Sequence, residues 1–455
     1  MARKSNRKAS PEHLLLRAKQ RIVTVTPNIV FVTCHDLGKH LGCYGWKSVP
    51  SPALDAIAQR GVLFDNSFCT APQCSPSRSS LHTGRHAHSN GMMGLSHQPF
   101  RWRMHADEQH LAQRLQAAGY TTALIGVQHL VNGDEVASLG YDSSVDRGPA
   151  RDMGAAAAAF LSAPERHQKP FYLEVGFFEP HRPYDFGGIG GDDSKGTRLP
   201  PYILDSPEAR SDFARLQGAI GALDGGVSQI IEALDANNLT DNTWFIFTVD
   251  HGLAMPRAKC TCYDPGIETA LIMHWPDAGL TGGRRYSEMV SHVDMVPTVL
   301  DALGMDIPSN LHGQSYWPLL RGQAYQPNEQ IFAEKTFHTT YEPMRAIRTR
   351  THKLIANLDQ DIAVNVPSDI QRSPIYPQML DRITPRRPHF ELYNLVDDPK
   401  ETHNMAGEPE VADIERELKQ QLLAWMEATD DPILKGPVPS NFYHDTLAML
   451  RGEIL

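Results

Sequence analysis

Up to about residue 330, apolar segments rich in β-branched residues alternate with segments of helical periodicity. Asn28–Thr33 is a continuous apolar run closed by polar residues, which is typical of a buried strand. Ser51 and Pro52 then form an N-cap and first-turn proline for a helix that ends at Gly61. Further strands are predicted at Thr121–Val127, Phe171–Phe177, Thr243–Asp250 and Thr269–Trp275, and further helices at Ser206–Leu234, at Val293–Leu303 and from an N-cap at Asp107. This alternation predicts an α/β fold with a central, mostly parallel sheet and helices on both of its faces.

The pattern changes after about residue 330. Met344–Leu358 is predicted to form a β-hairpin rich in Arg, Thr and Lys, and Pro409–Thr429 one long amphipathic helix. We therefore divide the chain into a basic N-terminal extension at 1–26, a large α/β domain at 27–330 and a smaller C-terminal α+β unit at 331–455.

The charge balance argues against a protein that coats nucleic acid. The 455 residues include 43 Lys and Arg against 53 Asp and Glu, a formal net charge of −10, whereas phosphate binding needs clustered, uncompensated positive charge. No apolar run reaches about 18 residues, so no membrane-spanning helix is predicted. We therefore expect partners other than nucleic acid or membrane, and a homo-oligomer stays open.

The N-terminal extension is basic but lacks the features of a secretion signal. Only Leu14–Leu16 form an apolar run within it, and a signal needs about 7–15 apolar residues before a small-residue cleavage site. The extension either contacts a partner or is a solvated leader. We expect a cytoplasmic protein whose six cysteines are reduced.

One of these cysteines lies in an informative motif. A lone cysteine is most often a small buried hydrophobe, but the twelve residues from Cys74 to Arg85, CSPSRSSLHTGR, match the signature C-x-P-S-R-x-x-L-x-T-G-R. The chain thereby resembles the formylglycine-dependent sulfatases of the alkaline-phosphatase superfamily. The resemblance implies that a formylglycine-generating enzyme oxidises Cys74 to an aldehyde. One hydroxyl of the hydrated aldehyde then attacks sulfur, and the other expels sulfate. Residue 74 should open a helix, whose N–H groups favour an anion.

Two polar pairs follow predicted strands, His35-Asp36 and Asp250-His251. Each pair alone could merely cap a helix, but open parallel sheets build their sites at the carboxyl ends of their strands. The resemblance implies that both pairs, together with residue 74, hold one divalent cation. Calcium is usual in the family, whereas the two imidazoles suit manganese or zinc better.

The resemblance also implies roles for further residues. Arg78 would hold the oxygens of residue 74, and His129 would be the general base. His181 would be the acid that protonates the leaving group, and Lys259 would contact sulfate. Val127 stands where the family usually has a second sulfate-binding lysine.

The hairpin after residue 340 adds one candidate for substrate binding. Arg345 belongs to an alternating series of basic residues that could meet an acidic sugar. A solvated strand face explains the same series equally well, because long basic side chains commonly lie there.

The expected function is hydrolysis of a sulfate ester or sulfamate. Looser motifs, among them Asn90-Gly91-Met92 and Tyr263-Asp264-Pro265-Gly266, resemble the N-sulfoglucosamine sulfohydrolase subgroup. They favour the N-sulfate of a glucosamine-type sugar, and thus a role in glycosaminoglycan degradation. The alternatives are a phosphonate monoester or phosphodiester hydrolase, favoured by His251 and Val127, and a non-catalytic glycan-binding relative.

Overall fold

The structure is a computed structural model that describes residues 26–164, 168–359, 364–383 and 386–453. The predicted basic extension therefore lies, apart from residue 26, outside the described residues. Within them the strands are β1 Asn28–Cys34, β2 Val62–Phe68, β3 Thr121–Gly126, β4 Ser143–Val145, β5 Phe171–Gly176, β6 Thr243–Val249, β7 Glu268–Thr269, β8 Leu271–His274, β9 Arg284–Ser291, β10 Gln330–Phe337, β11 Tyr341–Thr349, β12 His352–Asn357 and β13 Phe390–Asn394.

The helices lie between and after these strands. They are α1 Pro52–Arg60, α2 Cys74–Thr83, α3 Ala87–Asn90, α4 Leu111–Ala117, α5 Ala150–Ser162, α6 Pro207–Ala236, α7 Asp264–Ile267, α8 Met295–Ala302, α9 Trp317–Leu320, α10 Ser368–Gln371, α11 Tyr376–Met379, α12 Ala412–Ala428 and α13 Asn441–Leu450.

A central sheet organises the large domain. Its strand order is β4-β3-β5-β1-β6-β8-β2-β7, with β9 paired to β2. The five strands from β4 to β6 are mutually parallel, and β8 joins β6 antiparallel. Since β1 pairs with both β5 and β6, it lies inside the parallel region. This confirms the predicted α/β class.

Both faces of β1 are buried, which explains its uninterrupted apolar sequence. Val30 and Val32 pack in the hydrophobic cluster that contains Leu216 of α6. Ile29 and Phe31 point to the opposite cluster, which contains Leu111 of α4. A parallel strand covered on both sides has no solvated face and therefore no polar alternation.

The C-terminal unit is built on a separate antiparallel sheet of order β10-β11-β12-β13. One face packs on the large domain, where Met344 and Ala346 join a cluster with Phe68 and Ile267. The other face carries Ile347 and is covered by α12. The predicted C-terminal α+β unit is thus confirmed as a fold, and its boundary at residue 331 stays a prediction.

The predicted cap at Asp107 is wrong. The helix begins instead at Leu111, where His110 is the N-cap and its Nδ1 accepts a hydrogen bond from the backbone N–H of Ala112 at 3.0 Å. Gln113 completes a capping box by accepting from the backbone N–H of His110. An imidazole in this position supplies the acceptor that Asp was expected to supply.

Candidate active site

The two polar pairs come together because their strands are neighbours. β1 and β6 are parallel and in register, with Cys34 opposite Val249, so His35-Asp36 and Asp250-His251 both leave the same edge of the sheet. Asp36 has a left-handed backbone, with φ of 51°. This conformation is uncommon for a residue with a side chain and is found preferentially at functional sites.

Asp250 is held by an array of donors. Its Oδ1 accepts from the backbone N–H groups of Asp36 at 2.9 Å and His251 at 2.8 Å. Its Oδ2 accepts from Nε of Arg78 at 3.3 Å. Burial opposes ionisation here, but the interactions with the imidazoles of His251 and His35 and with the guanidinium of Arg78 outweigh it and hold the pKa of Asp250 well below its ordinary value. The carboxylate is therefore ionised.

Arg78 is a positioning residue in this arrangement. It is completely buried, and its two terminal nitrogens donate to Oγ1 of Thr33 at 3.1 Å and to the carbonyl of Cys34 at 3.2 Å. These hydrogen bonds fix Asp250 against the end of β1. The expected contact of the guanidinium with the oxygens of a modified residue 74 stays a prediction.

Cys74 is the first residue of α2 and is 2% exposed. Its Sγ lies 3.4 Å from Nε2 of His251. Burial raises the pKa of the thiol well above its ordinary value. An unmodified Cys74 is therefore a neutral thiol and a poor nucleophile.

The donor set at this edge of the sheet fits a cation. His35, Asp36, Cys74 and Asp250 each offer one ligand atom, and these four atoms lie within 4.8 Å of one another. Nε2 of His35 is buried without a hydrogen-bond partner among the described residues, whereas its Nδ1 lies 3.0 Å from Oδ2 of Asp250. Buried polar atoms of this kind cost free energy unless a ligand or ion satisfies them.

A hydrogen bond sets the orientation of the His251 ring. Its Nδ1 lies 3.0 Å from the carbonyl of Gly252, and because a carbonyl only accepts, Nδ1 carries a proton. Its Nε2 faces the site, 3.2 Å from Oδ1 of Asp36. Burial and Arg78 lower the pKa of His35 to about 4, so the imidazole of His35 is neutral and competent as a ligand.

Lys259 and His181 lie beside Asp36. Nζ of Lys259 is 2.8 Å from Oδ2 of Asp36 and 3.4 Å from Nε2 of His181. Nδ1 of His181 donates to the carbonyl of Arg182 at 2.5 Å, which leaves the Nε2 lone pair facing the site. Burial and the neighbouring Lys259 lower the pKa of His181.

His129 approaches Cys74 from the end of β3. One of its ring nitrogens lies within 4.8 Å of Sγ of Cys74 and of a ring nitrogen of His35. Its Nε2 is 3.2 Å from Nδ1 of His97, and its Nδ1 has no hydrogen-bond partner among the described residues. Burial and the nearby His35 lower the pKa of His129 well below its ordinary value. The ring is neutral and can accept a proton.

Asp369 belongs to this group, although the sequence analysis did not identify it. It lies in α10 of the C-terminal unit, and its Oδ2 is 2.9 Å from Nζ of Lys259. Burial disfavours the charge on Lys259, but Asp36 and Asp369 outweigh this effect and raise its pKa. Asp369 follows Lys259 by 110 positions in a segment without a motif, so no local signal indicated it.

The assignment of Arg345 to substrate binding is wrong. Arg345 shares the α12 face of β11 with Ile347, and its guanidinium is completely buried. Nε and one terminal nitrogen donate to the two carboxylate oxygens of Asp431, at 2.5 and 3.0 Å. The face is neither solvated nor open to a sugar, because the strand is covered on both sides.

A comparison with known families agrees with this geometry. A profile described as Sulfatase matches residues 27–305, and one described as N-sulphoglucosamine sulphohydrolase, C-terminal, matches residues 254–376. The chain belongs to the sulfatase family and is a hydrolase of sulfate esters or sulfamates. Within the described residues, no helix is long and apolar enough to cross a bilayer.

Among individual proteins, the chain is similar to N-sulphoglucosamine sulphohydrolase from Homo sapiens. The two are 28% identical, and the alignment covers 93% of each chain. An ulvan-active sulfatase from Formosa agariphila is also 28% identical, over 91% of this chain and 82% of the relative. A solved structure in complex with its substrate D-glucosamine-2-N,6-O-disulfate shares the fold, with a TM-score of 0.69 and 20% identity over 91% of this chain and 99% of that one.

Proposed function

We propose that this enzyme removes the N-sulfate of glucosamine-type sugars and so acts in glycosaminoglycan degradation. The observation that carries the proposal is the convergence of Cys74, the carboxylates of Asp36 and Asp250, the imidazoles of His35 and His251 and the amino group of Lys259 at one edge of the sheet. The N-linked sulfate is favoured by the similarity to the human N-sulphoglucosamine sulphohydrolase along nearly the whole chain.

The nucleophile and the metal are part of the proposal. Formylglycine at position 74 would supply a hydrated aldehyde as the attacking oxygen, which a neutral buried thiol cannot replace. A divalent cation held by His35, Asp36, Asp250 and His251 would neutralise the charge of the sulfate. The mixed nitrogen and oxygen donors favour manganese or zinc over calcium.

The remaining residues bind sulfate and move protons. Lys259 offers a fixed positive charge to the sulfate oxygens. His129 is the base next to residue 74. His181 protonates the leaving group; bound sulfate brings negative charge close to its Nε2 and raises the low pKa of the imidazole toward neutrality.

The test is sulfate release from N-sulfoglucosamine by metal-replete protein that mass spectrometry shows to carry the aldehyde at residue 74. Fast release is expected. A phosphonate monoester is tested in parallel. Turnover of the phosphonate with no release from the sulfamate would overturn the proposal.

A phosphonate monoester or phosphodiester hydrolase is the second candidate. It is favoured by His251 in the donor set and by Val127, a half-buried aliphatic residue where the family usually has a lysine. The relative activity on sulfate esters, sulfamates and phosphonate esters separates the two functions. A non-catalytic role is disfavoured by the complete set of charged and ligating groups around residue 74.

A further inference from the structure

The carboxylate of Asp369 has so far been described only as a counter-ion of Lys259. Its Oδ2 lies 2.9 Å from Nζ of Lys259 and 3.9 Å from Nε2 of His181. Its Oδ1 accepts only from the backbone N–H of Ile370, at 3.0 Å, among the described residues. Any atom that receives a proton from Nε2 of His181 therefore passes close to this carboxylate.

Asp369 also borders an open cleft. Its side chain is 18% exposed and that of His181 is 21% exposed. The cleft has a volume of about 1140 Å³, which includes space open to solvent, and Asp369, Arg182, Arg215 and Arg372 are among the residues that line it. Of Lys259, His181 and Asp369, only Asp369 lines this cleft, so a leaving group that passes from His181 to Asp369 would enter it there.

The atom that joins sulfate to the leaving group decides whether a carboxylate beside it attracts or repels the substrate. The nitrogen of a sulfamate carries a hydrogen, which a carboxylate accepts in a charge-assisted hydrogen bond. The bridging oxygen of a sulfate ester carries none, so its lone pairs would face the negative charge. A site that places an acceptor opposite a hydrogen-bond donor of its substrate discriminates strongly against an analogue without that donor.

We propose that Asp369 selects the nitrogen linkage by accepting a hydrogen bond from the sulfamate N–H; this inference rests on the proposed function. As the S–N bond breaks, sulfur gains its bond to the attacking oxygen and the electron pair stays on nitrogen. The nitrogen takes the proton from Nε2 of His181 and leaves as an amine. The hydrogen bond to Asp369 strengthens as the nitrogen gains the proton, and it is absent for an ester.

The experiment compares N-phenylsulfamate and phenyl sulfate, which differ only in the linking atom, with aldehyde-bearing, metal-replete enzyme. Asp369→Asn should lower the ratio of kcat/KM for sulfamate over ester by 10-fold or more. Asp369→Glu, which keeps the negative charge that the amide of Asn lacks, should restore part of the ratio. Asp381→Asn, an exposed carboxylate of the same unit, should leave both rates unchanged.

The ratio separates selection from a structural effect. Loss of the Lys259 contact would weaken sulfate binding for both substrates alike and would cancel in the ratio. An unchanged ratio in Asp369→Asn, or in Asp369→Ser should the Asn variant not fold, would overturn the inference alone. No turnover of either substrate or of N-sulfoglucosamine by the wild-type enzyme would overturn the proposed function, and this inference with it.

Discussion

Nε2 of His251 lies 3.4 Å from Sγ of Cys74, and it faces the site because Nδ1 donates to the carbonyl of Gly252. The ring is therefore held in the orientation that a metal ligand needs. A second imidazole, that of His35, lies at the same edge of the sheet. This pair of nitrogen donors is what distinguishes the site chemically from an all-oxygen calcium site.

Replacing His251 should change which metal the protein retains. His251→Asn exchanges an imidazole nitrogen for an amide oxygen, and oxygen donors favour calcium over manganese or zinc. After dialysis against equal concentrations of the three metals, elemental analysis should show manganese or zinc in the wild type and a higher calcium fraction in the variant. His403→Asn, an exposed histidine, is the control. The same metal content in all three proteins would contradict the assignment of His251.

Cys74→Ala should abolish turnover while the fold persists. The side chain is small, so its loss leaves a minor cavity, whereas removal of a nucleophile costs at least about 10⁴-fold in kcat. Sulfate release and the melting temperature check the two parts of this expectation. Cys43→Ala, at a half-buried cysteine of the same domain, should retain activity. An unchanged rate in Cys74→Ala would rule out the proposed mechanism.

Arg78→Lys should weaken metal binding although the positive charge is kept. Lysine cannot reach Asp250, Thr33 and the Cys34 carbonyl together, so the ligand carboxylate loses its support. Loss of a group that orients a ligand typically costs about 10–100-fold in metal affinity. Titration of the metal-free protein with manganese or zinc measures the change. Equal affinities in variant and wild type would show that Asp250 is held by its backbone donors alone.

Stability should fall in mild acid because of His110. Burial and His82 lower the pKa of His110 to about 3, while the unfolded chain titrates near about 6.5. At a pH between the two pKa values, His110 is protonated in the unfolded chain but not in the folded protein. The free energy of unfolding therefore falls as the pH drops from about 6.5 toward about 3. The expected loss is about 2 kcal/mol at pH 5.

His110→Asn isolates this contribution, because Asn is a good N-cap and does not titrate. Denaturant unfolding measured between pH 7 and 5 should give a flatter profile for this variant than for the wild type. His444→Asn, an exposed histidine, should leave the profile unchanged. Parallel profiles for wild type and His110→Asn would contradict the burial argument.

The sequence predicted the elements whose pattern is set by complete burial or by clear caps. β1 and α1 were predicted to within a residue, because an apolar run or a proline and glycine defines each end. β2 was missed, since Asp65 and Asn66 interrupt its apolar pattern where the strand is only partly buried. β9 was missed for a similar reason, because its first five residues are exposed or half-buried and mostly polar.

The site divides in the same way. Residues next to a strand end or inside the signature could be proposed from the sequence, because parallel strands end at the same edge of a sheet. The environment of Arg345 could not be inferred, since the strand alternation is the same whether its outer face is solvated or covered by α12. Asp369 depends on a contact between two units, and nothing in its own sequence encodes that contact.

That contact has a consequence for how the chain can be divided. Lys259 lies in the large domain and Asp369 beyond the start of the second sheet, yet one family profile spans 254–376 and includes both. The segment shared with relatives thus crosses the border between the two folded bodies. A chimaera cut at that border would keep both cores intact, but its lysine and the counter-ion of that lysine would come from different parents. Exchange of the whole 254–376 segment would transfer both residues of this half of the site together.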